Sequence, residues 1–159
     1  MLKRIAFIIF LISVLALTAN AQEGGRFGMG FVVGDPTGFA WKYRMDNIHA
    51  IDGSIGFSPT ERLRLQGDYL WHAYPFSEKR LALYYGPGIA FSFGRTDYVV
   101  FSNGYGYNDA GFGIRGVVGL GYNIKNSPVE LFFEMAPLIV LTPTAGSGID
   151  LGLGVRVYP

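Results

Sequence analysis

From residue 26 onward the chain alternates. Leu63, Leu65, Tyr69 and Trp71 share one parity, and Arg64, Gln66 and Asp68 share the other. Phe39, Trp41, Tyr43 and Met45 alternate with Lys42 and Arg44, and Leu151, Leu153, Val155 and Val157 alternate with Asp150 and Arg156. Side chains of a strand point to opposite faces with period two, so each segment predicts a strand with one apolar and one polar face. Turn signals separate eight such segments: 26–34, 38–45, 49–58, 62–71, 80–93, 110–124, 128–141 and 148–158. The turns read Asp35-Pro36-Thr37-Gly38, Asp46-Asn47, Ser58-Pro59-Thr60 and Lys125-Asn126-Ser127-Pro128. The longest interval, 95–109, reads as a loop, with Asn103, Gly104, Gly106 and Asn108. Pro87 and Pro137 fall inside strand segments, where each deletes a ladder donor, and glycines on both sides of Pro87 predict a bulge or kink there.

The ring-rich apolar parity and the charged opposite parity together predict an all-β fold. It is an eight-stranded antiparallel up-and-down transmembrane β-barrel, with its apolar exterior in lipid and its polar face inside. The rival fold is a soluble lipocalin-like barrel, which would turn its apolar residues inward and leave these rings in water. The N-terminus supports export. Lys3 and Arg4 precede an apolar run, 5–17, broken by Ser13, and Ala19-Asn20-Ala21 supplies a small-x-small cleavage site. This reads as a secretory signal peptide over 1–21, too short to span a bilayer as a helix. The mature chain, 22–159, is then one barrel domain in the outer membrane of a Gram-negative bacterium.

An even strand number puts both termini on one side, the periplasm, along with the connections between strands two and three, four and five, and six and seven. It puts 95–109 and 142–147 outside. Trp41, Tyr43, Tyr69, Trp71, Tyr84, Tyr85, Tyr122 and Tyr158 then collect near the periplasmic strand ends as an interfacial girdle. Phe39, Phe57, Phe91, Phe93 and Phe112 collect near the other rim.

The inward parity gathers five cations, Lys42, Arg44, Arg64, Arg115 and Arg156, and five anions, Asp52, Asp68, Glu130, Glu134 and Asp150. Eight strands enclose a space that side chains fill, so these charges are expected to pair as a plug. Glu134 is expected to meet Arg115 on the neighbouring strand. Glu130 and Glu134 share a face but lie about 13 Å apart at the usual strand rise, too far for a catalytic carboxylate dyad. No catalytic, metal or cofactor site is expected. His49 and His72 have no second ligand at suitable spacing. Gly111-Phe112-Gly113-Ile114-Arg115-Gly116 matches a dinucleotide fingerprint, but it follows a loop and opens a strand. There is no cysteine, hence no disulfide framework. The net charge of +1 becomes −1 once Lys3 and Arg4 leave, and nothing in it suggests nucleic acid. Recognition, if any, is expected at Tyr98, Phe101, Tyr105 and Tyr107 in the long loop.

The chain resembles the small eight-stranded outer-membrane barrels typified by OmpX and the OmpA membrane domain. It is more closely similar to a family of uncharacterised small barrels from diverse Gram-negative bacteria. The matching stretches are Gly28-x-Gly30, then Gly34-Asp35-Pro36-Thr37-Gly38 and Lys42-Tyr43. Asp68-Tyr69-Leu70-Trp71-His72, Glu130-x-Phe132-x-Glu134-x-Ala136-Pro137 and Gly152-x-Gly154-x-Arg156 follow. The resemblance implies a monomer in outer-membrane lipid, assembled by the barrel-assembly machinery, with no established activity and no transferable site. Such chains usually end on an aromatic residue, whereas here Pro159 follows Tyr158. The expected role is structural or surface-interactive and not enzymatic. A narrow pore is the alternative class, and a lipid-modifying enzyme is a third.

Overall fold

The computed structural model describes residues 25–58, 63–76, 80–93, 110–143 and 145–159. Eight strands form one antiparallel sheet in chain order: β1 (Phe27–Gly34), β2 (Thr37–Arg44), β3 (His49–Phe57), β4 (Leu63–Ala73), β5 (Leu81–Phe93), β6 (Gly111–Asn123), β7 (Val129–Thr142) and β8 (Gly146–Val157). The sheet closes on itself. β1 pairs with β8 from Met29 opposite Val157 to Gly34 opposite Gly152, so no edge remains to be capped.

Period two decides what goes inside. On β6 the inward row is Gly111, Gly113, Arg115, Val117, Gly119 and Gly121, and the outward row includes Phe112, Ile114, Val118, Leu120 and Tyr122. On β8, Asp150 and Arg156 are buried, while Ile149, Leu151, Leu153 and Val155 are exposed. Every strand carries exposed large apolar side chains on its outer face. The interior mixes ion pairs with apolar side chains, the latter in two clusters, one around Leu70, Tyr84 and Val117 and one around Val32, Ala40 and Phe132.

Glycine makes room for that filling. The Tyr84 ring lies across Gly119, its partner in the β5–β6 ladder, and a Cβ on Gly119 would come within 2.5 Å of the ring. Gly34 ends β1 at φ 144°, a backbone open to glycine, and Thr37 closes the β1–β2 turn. The Gly34 N–H donates to Thr37 Oγ1 and the Thr37 hydroxyl donates to the Gly34 carbonyl, each at 3.0 Å.

The structure departs from the pattern reading in four places. β7 runs to Thr142 and β8 starts at Gly146, so Thr142, Gly146 and Ser147, expected in an external loop, belong to the barrel wall. Pro87 produces no bulge. Asp68 opposite Gly88 and Trp71 opposite Tyr85 keep one register, and the two residue pairs between them are simply unbridged, because a proline has no N–H to donate. Pro137 leaves the same gap between β6 and β7, from Arg115 opposite Leu138 to Val118 opposite Met135, and the register shift lies instead at Phe112/Gly113. Tyr84 and Tyr158, read as girdle residues, are buried at 0% and 3% exposure and point inward. Tyr158 shares parity with Arg156, and Tyr84 with the small inward residues Ala82 and Ala90, so parity outweighs aromatic character at both.

The β2–β3 turn is held by one carboxylate. Asp46 Oδ1 accepts the backbone N–H groups of Ile48 at 2.7 Å and His49 at 2.8 Å, and its Oδ2 lies 2.8 Å from His49 Nδ1. The backbone donors, His49 first, hold its carboxyl down to about 2 from an ordinary 3.8. A carboxyl depressed in the folded state adds stability above its ordinary range and loses it as pH falls through the folded value. An NMR titration should therefore place the Asp46 midpoint near 2, and Asp46→Asn should flatten the acid-side stability slope between 3.8 and about 2. A midpoint at 3.8 would mean that the turn bonds are not made.

Candidate functional site: a charged plug inside the barrel

The ten charged residues singled out by parity all lie on inward positions. Lys42, Asp52, Asp68, Arg115, Glu130, Asp150 and Arg156 are buried, and Arg44, Arg64 and Glu134 are half-buried. They form two lattices, one toward each mouth.

The first lattice sits toward the mouth that holds the chain termini and the β2–β3 and β6–β7 turns. Glu130 is its centre. Lys42 Nζ lies 3.5 Å from Glu130 Oε1 and 3.9 Å above the Tyr84 ring centroid. Arg44 donates to Asn123 Oδ1 at 2.9 Å, lies 3.8 Å from Glu130 Oε1 and stacks 3.9 Å from the Tyr158 ring centroid. The Tyr158 hydroxyl donates to Glu130 Oε2 at 2.5 Å. Arg156 rests 3.6 Å from the Phe132 ring centroid and donates from Nη2 to Asp52 Oδ2 and to Glu134 Oε1, both at 3.0 Å. Tyr84 donates its hydroxyl to the same Glu134 oxygen at 2.8 Å.

The second lattice sits toward the other mouth and centres on Asp150. Arg64 Nη1 bridges Asp150 Oδ1 at 2.7 Å and Asp35 Oδ1 at 2.8 Å. Gln66 donates to Asp150 Oδ2 at 3.1 Å and accepts from the Ser54 hydroxyl at 3.1 Å. Arg115 spans from Asp150 Oδ2 at 3.3 Å to Asp68 Oδ1 at 3.1 Å. Between the lattices lies a void of about 20 Å³, room for about one water.

Glu134 does not meet Arg115. It stands opposite Gly119, four residues along β6 from Arg115, and its cation is Arg156 from β8. Parity placed these residues on one face, but register and the bore of the barrel decide who meets whom. Five participants escaped the pattern reading, Ser54 on β3 among them. Asp35 was read only as a turn residue, Tyr84 and Tyr158 as girdle residues, and Asn123 sits at the end of β6 beside Arg44. Parity with Arg156 was the available signal for Tyr158; nothing local marks Asp35, which reaches Arg64 from the β1–β2 turn. Tyr98, Phe101, Tyr105 and Tyr107 lie outside the described residues. Among the described residues no three His, Cys, Asp or Glu side chains are placed to hold a metal ion.

The arrangement is a closed antiparallel eight-stranded barrel, apolar outside and ion-paired within. A family model described as a protein of unknown function (DUF3996) matches residues 18–157, and the chain belongs to that family. No curated protein and no solved structure matches it.

The lattice geometry sets a coupling. Glu134→Ala removes one of the two acceptors of Arg156 and the acceptor of Tyr84, and should destabilise the barrel by about 3 kcal/mol, the scale for breaking a buried pair. In double-mutant cycles, Arg156→Ala should couple to Glu134→Ala by more than about 0.5 kcal/mol, and Arg115→Ala should be close to additive with it. The reverse ranking, read by denaturant unfolding, would contradict this wiring.

Proposed function

We propose that the protein is an outer-membrane β-barrel of a Gram-negative bacterium, exported through a signal peptide cleaved after Ala21. In this reading its role is structural and surface-interactive. One observation carries the membrane part: the apolar outer face continues around all eight strands of a closed ring whose charges are inside. Val33, Phe57, Ile139 and Ile149 are each more than half exposed, on four different strands. Soluble monomers rarely expose a contiguous apolar patch beyond a few hundred Å². A lipocalin-like barrel in water would have the two faces exchanged.

Ring positions agree with a bilayer. Trp41, Tyr43, Tyr69, Trp71, Tyr85 and Tyr122 point outward toward the terminus-bearing mouth, where Tyr69 packs 5.1 Å from Trp71 and Trp71 6.0 Å from Tyr85. That level is the headgroup boundary on the periplasmic side. Among the described residues no helix is long and apolar enough to cross a membrane.

The surface-interactive part rests on sequence. The interval between β5 and β6 is the longest between consecutive strands and carries Tyr98, Phe101, Tyr105 and Tyr107. A pore reading has less support, because ion-paired side chains such as Arg156–Asp52 and Arg115–Asp68 fill the interior. Planar-bilayer recordings should show no steady conductance, and a reproducible single-channel step would favour the pore.

Leu65→Arg and Leu153→Arg test the lipid contact. Near the bilayer midplane each should cost ~2–4 kcal/mol in lipid. Full stability of both variants would remove the lipid-facing assignment. Protease added to intact cells should cut within 95–109 and leave the barrel, and a short Gly-Asn turn in place of that stretch should assemble normally. Cleavage only after the outer membrane is opened would invert the topology.

A further inference from the structure

Asp52 and Asp68 stand directly opposite each other across β3 and β4. Both point inward, with side chains 2% and 3% exposed. Directly opposed residues of an antiparallel pair hold their Cβ atoms about 4.5–5.5 Å apart, and like charges so placed repel. Neither carboxylate has a cation to itself. Arg156 Nη2 divides between Asp52 Oδ2 and Glu134 Oε1, and Arg115 divides between Asp68 Oδ1 and Asp150 Oδ2. Asp52 Oδ1 accepts no hydrogen bond. Asp68 Oδ1 lies 3.1 Å from Arg115 Nε, but neither atom makes a hydrogen bond. Both carboxylates border the void of about 20 Å³, together with Ser54 and Gln66. The void is polar enough, and large enough, for about one water.

Charge counting at increasing distance from the centre points to the same place. Among the described residues, the ion-paired interior side chains less than a tenth exposed are three cations, Lys42, Arg115 and Arg156, and four anions, Asp52, Asp68, Glu130 and Asp150. Arg64 and Glu134, each 13% exposed, make it four and five. Arg44 and Asp35 at the mouths make it five and six. One carboxylate is in excess at every depth. Of the remaining inward titratable groups, Tyr84 on β5 donates to Glu134, and Tyr158 beyond β8 donates to Glu130. His72 on β4 lies against the Tyr84 ring, its Nδ1 3.2 Å from the Ile48 carbonyl. Gly88 on β5, opposite Asp68, has no side chain to separate the pair from the wall, and a Cβ there would collide with Asp68 Oδ1.

We propose that Asp52 and Asp68 form a proton-binding site: the pair shares one proton beside a void with room for about one water, and this proton neutralises the interior. The other nine charged groups then balance, with Asp35, Glu130, Glu134, Asp150 and the one remaining pair charge facing Lys42, Arg44, Arg64, Arg115 and Arg156. The site is a property of the interior and holds whichever solvent surrounds the barrel.

Infrared difference spectra of the refolded full-length protein at pH 7 test it. The parent should show the C=O band of a protonated carboxylic acid, above the carboxylate bands. Asp52→Asn and Asp68→Asn should each abolish it, and Glu130→Gln should retain it. Raising the pH should lower the parent's melting temperature as the proton leaves, and this alkaline slope should vanish in Asp68→Asn, where an amide holds the neutral form. No acid band in the parent, or a band that survives both Asn substitutions, overturns the proposal. So does an NMR spectrum showing a charged His72 in place of the shared proton. An amide should be tolerated where a protonated carboxyl sits, so failure of both Asn variants to fold also overturns it.

Discussion

Closing eight strands on themselves leaves a bore that side chains alone can fill, and everything charged on the inward parity has to be neutralised there. The rest of the structure follows from that constraint. Arg156, 2% exposed, cannot be solvated, so it is stacked on Phe132 and divided among carboxylates from β3 and β7. Glu130 is likewise enclosed, and Lys42, Arg44 and Tyr158 converge on it from β2 and from just beyond β8. Such lattices are tied across the bore and not along a strand, so they fix the cross-section of the barrel. Breaking one member leaves a buried partner uncompensated, which costs more than an intact pair contributes.

Glycine is the second half of the same constraint. Tyr84 reaches Glu134 only by lying over Gly119, which separates them in the sheet, and Phe132 lies over Gly154 in the same way. The interior is therefore a set of long side chains folded down over glycines on neighbouring strands, and the charges at their tips meet near the axis. The outer face carries no such demand. Its side chains need only be apolar and, at one level, aromatic.

The sequence disclosed the parts of the fold that depend on period two. Alternation in 38–45, 62–71 and 148–158 located β2, β4 and β8 closely and put Lys42, Asp68 and Arg156 on the inside. It failed where composition spoke against parity. Tyr84 and Tyr158 carry rings that suit a membrane boundary, yet both lie on the inward parity and act as hydrogen-bond donors to buried glutamates. It failed also where three-dimensional position, not spacing, decides. Asp35 belongs to a turn but leans over the mouth to Arg64, and Glu134 takes Arg156 rather than Arg115, because partners across the bore depend on strand tilt and register that no local pattern encodes. The prolines were legible as lost donors but not in their consequence. The ladders absorb each one by a short gap at constant register.

The central claim is that the apolar face meets lipid while the charged face is sealed. The chain has no cysteine, so single cysteines can be placed along β8 and labelled with a nitroxide in lipid vesicles. Labels at Leu151, Leu153 and Val155 should be accessible to oxygen and shielded from a water-soluble nickel chelate. Outward labels open to the nickel chelate along the whole strand would contradict a lipid-facing wall.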